Sequence, residues 1–293
     1  MRCHKAKIAL KMNEININLG GSLLHSPHPL IMGILNVTRD SFYDGGRFLD
    51  LDAAMRHVEV MISQGADIID IGAFSSRPGA QLVDAESQLA VLKPVIKEFR
   101  QSFPDVPLSV DCYHGAVVTA LTDITAFLVN DVTGMSLDKD LEAAVLSNKL
   151  PYVLTHMRGK PEDMQSRTDY DDVVYAVLDY LARRVSELAS SGLVDVFVDP
   201  GFGFSKTLEQ NYEMLNKLNV FNILDRPIMV GLSRKSMIYK TLGNTAEEAL
   251  NGTTALHMAA LLNGAAILRV HDVKEAAETR NLWLQLQSSP VKQ

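Results

Sequence analysis

The chain has 293 residues, 47% of them hydrophobic and 22% charged, enough to bury a sizeable core and to form either two domains or one α/β barrel. Its 28 basic and 35 acidic side chains give a net charge of −7, which argues against a broad nucleic-acid surface but leaves open a local site for a small anion. Two cysteines, Cys3 and Cys112, exclude a disulfide framework and a four-cysteine zinc site; residues 255–268 are too interrupted to span a membrane, and the basic segment 1–11 lacks a secretory apolar region, so a soluble cytoplasmic protein is expected.

In chain order, residues 1–13 are expected to form a poorly ordered extension. Segment 14–25 carries Asn16, Asn18 and the pair Gly20-Gly21, and predicts a short hairpin. Apolar runs predict strands at 30–35, 108–111, 127–130, 152–155 and 228–231. Three more follow a repeated pattern in which a glycine closes a helix and an apolar strand begins, at 65–71, 192–199 and 264–270. Helical spacing appears between the strands. Met55, Val58 and Met61 recur after Asp52. Leu89, Leu92, Val95 and Phe99 recur within 84–101, where Pro94 predicts a kink. Val174, Val177, Leu181, Val185 and Leu188 recur behind Asp171 and Asp172, either of which can cap that helix. Eight alternating strand–helix units predict one (β/α)8 TIM barrel over 14–288, with the hairpin covering the barrel floor.

Polar residues end these strands in turn: Asn36, then Asp70 and Gly72, Asp111, Asn130 with Asp131, His156, Asp199, then Ser233 with Arg234 and Lys235, and lastly Arg269 with His271. Taken singly, an Asp or Asn after a strand is most often a helix cap or turn former. Eight successive strands that end in potential ligands point instead to one rim, where barrels build their sites. Acidic and amide ends cluster on strands three, four and six, and cations on seven and eight. That division suits a ligand with a donor-rich heterocycle at one end and a phosphate at the other. Other motifs fail. Residues 201–207 approach a P-loop and a dinucleotide fingerprint, but Ser205 and Lys206 stand where glycines belong. Residues 231–235 approach a nucleophile elbow, but Lys235 replaces the closing glycine.

Eight ordered blocks between residues 30 and 278 resemble the dihydropteroate synthase family. The first runs from Ile31 through Asn36 and Thr38 to Asp40-Ser41-Phe42 and Gly45-Gly46. The second couples Asp67-Ile68-Ile69-Asp70-Ile71-Gly72 to Ser75-Ser76-Arg77-Pro78-Gly79. Further matches are Ser109-Val110-Asp111, Asn130-Asp131-Val132, His156-Met157-Arg158-Gly159, Asp199-Pro200-Gly201-Phe202-Gly203-Phe204, Gly231-Leu232-Ser233-Arg234-Lys235 and Arg269-Val270-His271. The resemblance implies a homodimeric barrel transferase of folate synthesis. Such an enzyme joins para-aminobenzoate to 6-hydroxymethyl-7,8-dihydropterin pyrophosphate, releases pyrophosphate with Mg2+, and is a sulfonamide target.

It also implies residue roles. Asp111, Asn130 and Asp199 would hold the pterin, with Lys235 donating to ring acceptors and Phe204 and Gly231 beside it. Arg269 and His271 would meet the pyrophosphate, Ser233 would contact substrate, and Asn36 would offer an oxygen to magnesium. Phe42, Ser76 and Pro78 would line the aminobenzoate pocket, with Arg77 near the anions and Arg234 facing either solvent or the second substrate's carboxylate. Arg77, Lys235, Arg269 and His271 are the expected catalytic cations. Departure of pyrophosphate, followed by attack of the aromatic amine, would be SN1-like and need no protein nucleophile.

Three positions depart from the family pattern. Arg39 replaces a proline in the first loop, Phe74 stands where a glutamate is usual, and Cys112 where threonine is usual. Loops 38–46 and 73–80 are expected to act as lids. The alternatives are a folate-binding methyltransferase barrel, which has no need of a pyrophosphate grip, and a silent pterin-binding paralogue.

Overall fold

A computed structural model describes residues 14–37, 47–74 and 82–288. The expected extension 1–13 and most of the two long loops therefore lie outside the described residues. Strand β1 (Ile15–Leu19) pairs antiparallel with β2 (Ser22–Ser26) across Gly20-Gly21. Both glycines have positive φ, the backbone a two-residue hairpin turn requires.

Eight parallel strands then close into a barrel, in the order β10-β3-β4-β5-β6-β7-β8-β9. They are β3 (Leu30–Asn36), β4 (Ile68–Gly72), β5 (Leu108–Asp111), β6 (Leu128–Asp131), β7 (Tyr152–Thr155), β8 (Val196–Asp199), β9 (Ile228–Val230) and β10 (Ala265–Val270). The three glycines that open the repeated units, Gly65, Gly192 and Gly264, all have φ near +100° (102°, 97° and 97°), as a helix end turning into a strand demands.

Alternation along each strand splits the core in two. Ile31, Ile69, Val110, Val129, Leu154, Val198 and Leu268 point outward and pack beneath the helices. Met32, Ile68, Leu128, Val153, Phe197, Met229 and Ile267 point inward and form a second cluster with Ile15 and Ile17. The hairpin thus plugs the floor with its own isoleucines, both buried. Two residues further along β4, β6, β7, β8 and β10 the inward face turns polar, and Asp70, Asn130, Thr155, Asp199 and Arg269 stand above that floor with Asp111 of β5.

The helices lie outside: α1 (Arg47–Ser63), α2 (Ala85–Ser102), α3 (Gly115–Thr122), α4 (Leu141–Ser147), α5 (Val173–Ser190), α6 (Leu208–Asn216), α7 (Ser236–Leu242), α8 (Leu250–Leu262) and α9 (Val273–Ser288). Asp172 caps α5, its carboxylate accepting from the Tyr175 N–H at 2.9 Å. Asp84 does the same for α2 at the Ser87 N–H, and α2 continues as helix on both sides of Pro94. Helix α1 begins at Arg47, so Asp52 lies within it rather than before it. Among the described residues, no helix is long and apolar enough to cross a membrane.

Candidate active site

The mouth of the barrel is organised by Asp70. Its carboxylate, fully buried on β4, accepts from Ser109 Oγ at 2.6 Å, Asn130 Nδ2 at 3.1 Å and Arg269 Nε at 2.7 Å. Arg269 also donates from Nη2 to Asp111 Oδ2 at 2.9 Å. One guanidinium from β10 thereby ties together β4 and β5, its planar fork matching two carboxylates at once. Asp70 and Asp111 outweigh the effect of burial on Arg269 and hold it above its ordinary value. The cationic and acidic strand ends, read from the sequence as separate groups, meet here because closing the barrel sets β10 next to β3 and one strand from β4.

Asp111 and Asn130 are register partners on β5 and β6. Gly72 pairs with Asp111 on the other side, and a Cβ there would press on the aspartate at 3.1 Å. Asp111 Oδ1, Asn130 Oδ1 and Thr155 Oγ1 are buried in the mouth with no hydrogen-bond partner. Leaving such acceptors unpaired costs about 1–3 kcal/mol each, so the site is shaped for a ligand that brings donors. Burial raises the Asp111 carboxyl to about 7; Arg269 opposes this, while Asp70 and Asp131 add to it. Across the mouth, Asp199 Oδ1 accepts from the Gly201 N–H at 2.7 Å, and burial lifts its pKa while Lys235 opposes.

Lys235 precedes α7, its ammonium 4.3 Å from the centre of the Phe204 ring and bonded to the Phe202 carbonyl. Burial lowers it to about 8, with Asp199 opposing. Gly231, just past β9, would place a Cβ 3.9 Å from Lys235 Nζ, an ordinary contact. Phe204 belongs to an apolar group with Phe74, Tyr113, Val132, Met157 and Met164. Ser233 Oγ lies 3.2 Å from both the His271 N–H and His271 Nδ1, joining the seventh and eighth strand ends. Arg234 has φ of 55° and grips Asp272 through Nε at 3.0 Å and Nη2 at 2.5 Å. Asn36 is exposed at the rim as the last residue of β3.

The structure therefore gathers Asp111, Asn130, Asp199, Phe204, Gly231, Ser233, Lys235, Arg269 and His271 at one end of the barrel. Phe42, Ser76, Arg77 and Pro78, with Arg39, lie outside the described residues. Phe74 is buried, its ring edge-on to Tyr113 at 4.8 Å, so the residue in the glutamate position serves packing at the base of the second loop. Cys112 is buried in the outer core, as expected for a small apolar side chain. Sequence reading placed Asp70 at a strand end without a role. The available signal was a lone carboxylate inside Ile68-Ile69-Asp70-Ile71, two residues above an inward isoleucine.

Residues 32–271 match the model of a family described as pterin binding enzyme. The chain is 42% identical over 260 residues to the dihydropteroate synthase of Escherichia coli K12, covering 88% of this chain and 92% of that one. It superposes on the Yersinia pestis dihydropteroate synthase, solved with a sulfonamide drug complex, with a TM-score of 0.87 and 37% identity over 94% of this chain and 100% of that one. The Xanthomonas albilineans dihydropteroate synthase, solved with 4-aminobenzoic acid, gives a TM-score of 0.86 at 35% identity, with the same coverage of 94% and 100%.

Proposed function

The chain belongs to the pterin-binding enzymes and, among them, to the dihydropteroate synthases, and from that premise we propose how its own residues divide the work. The unpaired acceptors Asp111 Oδ1 and Asn130 Oδ1 carry the assignment. They face the amide and amine N–H groups of a dihydropterin, which would satisfy both at once. Asp199 accepts further ring N–H groups, and Lys235 donates to the ring's acceptors. Phe204 and the open side of Gly231 bound the same pocket.

The pyrophosphate lies toward Arg269, Ser233 and His271. Arg269 carries five N–H donors, and the two carboxylates engage only Nε and Nη2, so donors remain for an anion. Magnesium fits the donor set: Asn36 offers one hard oxygen at the rim, and this ion takes most of its other ligands from phosphate and water. When bound, it would neutralise charge on the leaving group. As pyrophosphate departs, positive charge grows on the pterin methylene, and Asp70 and Asp111 form a fixed anionic surround that favours it. The amine of para-aminobenzoate then attacks the methylene in an SN1-like path, its C–N bond replacing the broken C–O bond, and the nitrogen gives up a proton to water or to the released pyrophosphate. Phe42, Ser76 and Pro78 serve that second substrate and its sulfonamide mimics, and Arg77 serves the anions. Arg234 reaches its carboxylate only with the edge that Asp272 does not hold.

The reading extends to assembly and location. Leu242 and Leu262 are exposed at the ends of α7 and α8, two helices that pack together, and suit a homodimer interface. A chain with only two cysteines suits the cytoplasm. The test is a pterin-transfer assay with Arg269→Ala and Asp111→Ala. Each variant should lose at least ~100-fold in kcat/KM. Near-normal turnover in both would overturn the site assignment. Loss of pterin binding with no turnover in the parent enzyme would instead favour a silent paralogue.

A further inference from the structure

The loop after β8 is built around a lysine that the pterin chemistry does not touch. Lys206 is only 3% exposed. Its ammonium meets His156 Nδ1 at 3.1 Å, the Gly201 carbonyl at 2.9 Å and the Phe204 carbonyl at 3.0 Å. In its charged form the three N–H donors thus meet three acceptors, and burial lowers the group to about 7 while Asp199 opposes this. Burial lowers the His156 imidazole to about 2, so Nδ1 is free to accept.

The backbone winds about this ammonium. Gly201, Gly203 and Ser205 alternate at φ of 73°, 80° and 46°, which turns successive carbonyls in different directions. A Cβ on Gly201 would run into the His156 carbonyl, so the loop sits directly on the end of β7. The carbonyls of Gly201 and Phe204 face Lys206, while the Phe202 carbonyl between them faces Lys235. The Gly201 N–H holds Asp199 at 2.7 Å, and the Phe204 ring lies under the Lys235 ammonium. The 201–202 peptide unit that Lys206 holds therefore lies between the 200–201 N–H that meets Asp199 and the 202–203 carbonyl that meets Lys235.

We propose that Lys206, through its ammonium-centred winding of residues 201–206 and its link to His156, is a positioning residue that sets the geometry of the Asp199–Lys235 half of the pterin pocket. It does not touch substrate. This rests on the reading of Asp199 and Lys235 as pterin ligands, and it predicts a defect confined to the pterin side. Aminobenzoate, handled from the first and second loops, should be unaffected once the pterin is saturating.

The test compares Lys206→Met, Asp199→Asn and the parent enzyme. Binding of 6-hydroxymethyl-7,8-dihydropterin is measured by calorimetry, and KM is measured for each substrate. Lys206→Met should weaken pterin binding at least ~10-fold, because two buried carbonyls lose their donor, while the aminobenzoate KM stays within ~2-fold. A purely structural lysine would lower the yield of folded enzyme and leave both constants of the folded fraction unchanged; that result overturns the proposal. If Asp199→Asn also binds pterin normally, the pocket reading itself fails. If only Lys206→Met does, the pocket stands and the positioning role fails. Should Lys206→Met not fold, His156→Leu removes one of the three acceptors. It should weaken pterin binding ~3-fold or more with the aminobenzoate KM unchanged, and normal binding overturns the proposal.

Discussion

At the scale of single residues, the site depends on which carboxylate is already occupied. Asp70 spends its oxygens on Ser109, Asn130 and Arg269, whereas Asp111 spends one on Arg269 and keeps Oδ1 for a ligand. Asp70 is therefore the anchor of the cation and Asp111 the reader of the substrate. Asp70→Asn should cost about 2 kcal/mol in urea unfolding, the worth of a charged buried hydrogen bond, and lower kcat/KM as Arg269 loses its main partner. Unchanged stability and kinetics would refute the anchoring role. Cys112 makes a simpler case. Burial raises its thiol far above the ordinary value, and it packs in the outer core. A thiol reagent should leave Cys112 unlabelled in the folded enzyme and modify it only with unfolding, read by peptide mass; rapid native labelling would contradict its burial.

At the scale of elements, one strand carries two jobs on one face. The inward residue near the start of β4 is Ile68, on the floor, and the next inward residue is Asp70, in the mouth. Period-two alternation made both readable, as did the glycine–strand repeat, because these are local signals. The link from Asp70 to Arg269 spans 199 positions and exists only because the barrel closes, so no local pattern displays it. The start of α1 was misplaced for a related reason: its apolar spacing begins after Asp52, but the helix extends N-terminally to Arg47. In the coil at 201–206 the family block shows Phe204 beside the pterin, but Lys206 looks like part of a failed phosphate motif, because it acts inward rather than on a phosphate. Floor and mouth should also separate in experiment. Ile15→Ala empties a fully buried site in the hairpin and should cost about 3 kcal/mol of stability while leaving both KM values unchanged. A shifted pterin KM would show that the floor and mouth are coupled.

At the scale of the whole molecule, the net charge of −7 coexists with a mouth where acids and cations pair closely. Titration follows from that burial. Asp111 is raised from 3.8 to about 7 in the folded chain, so its contribution to stability is full below the unfolded value and is lost as pH rises through about 7. Lys206 is lowered from 10.5 to about 7, so its burial penalty is greatest below that value and is relieved as pH rises toward 10.5. Asp111→Asn should flatten the acid part of the stability profile and leave the alkaline part in place. The central claim is that Asp111 takes the pterin's N–H groups as a carboxylate, and proton-linked calorimetry tests it most directly. The probe is 6-hydroxymethyl-7,8-dihydropterin, which carries no phosphate to titrate, bound at about pH 6 in buffers of different ionisation enthalpy. The parent enzyme should release a proton on binding, its affinity should rise with pH and level off above about 7, and Asp111→Asn should abolish both effects. Binding without proton release, or the same pH profile in Asp111→Asn, would contradict the account.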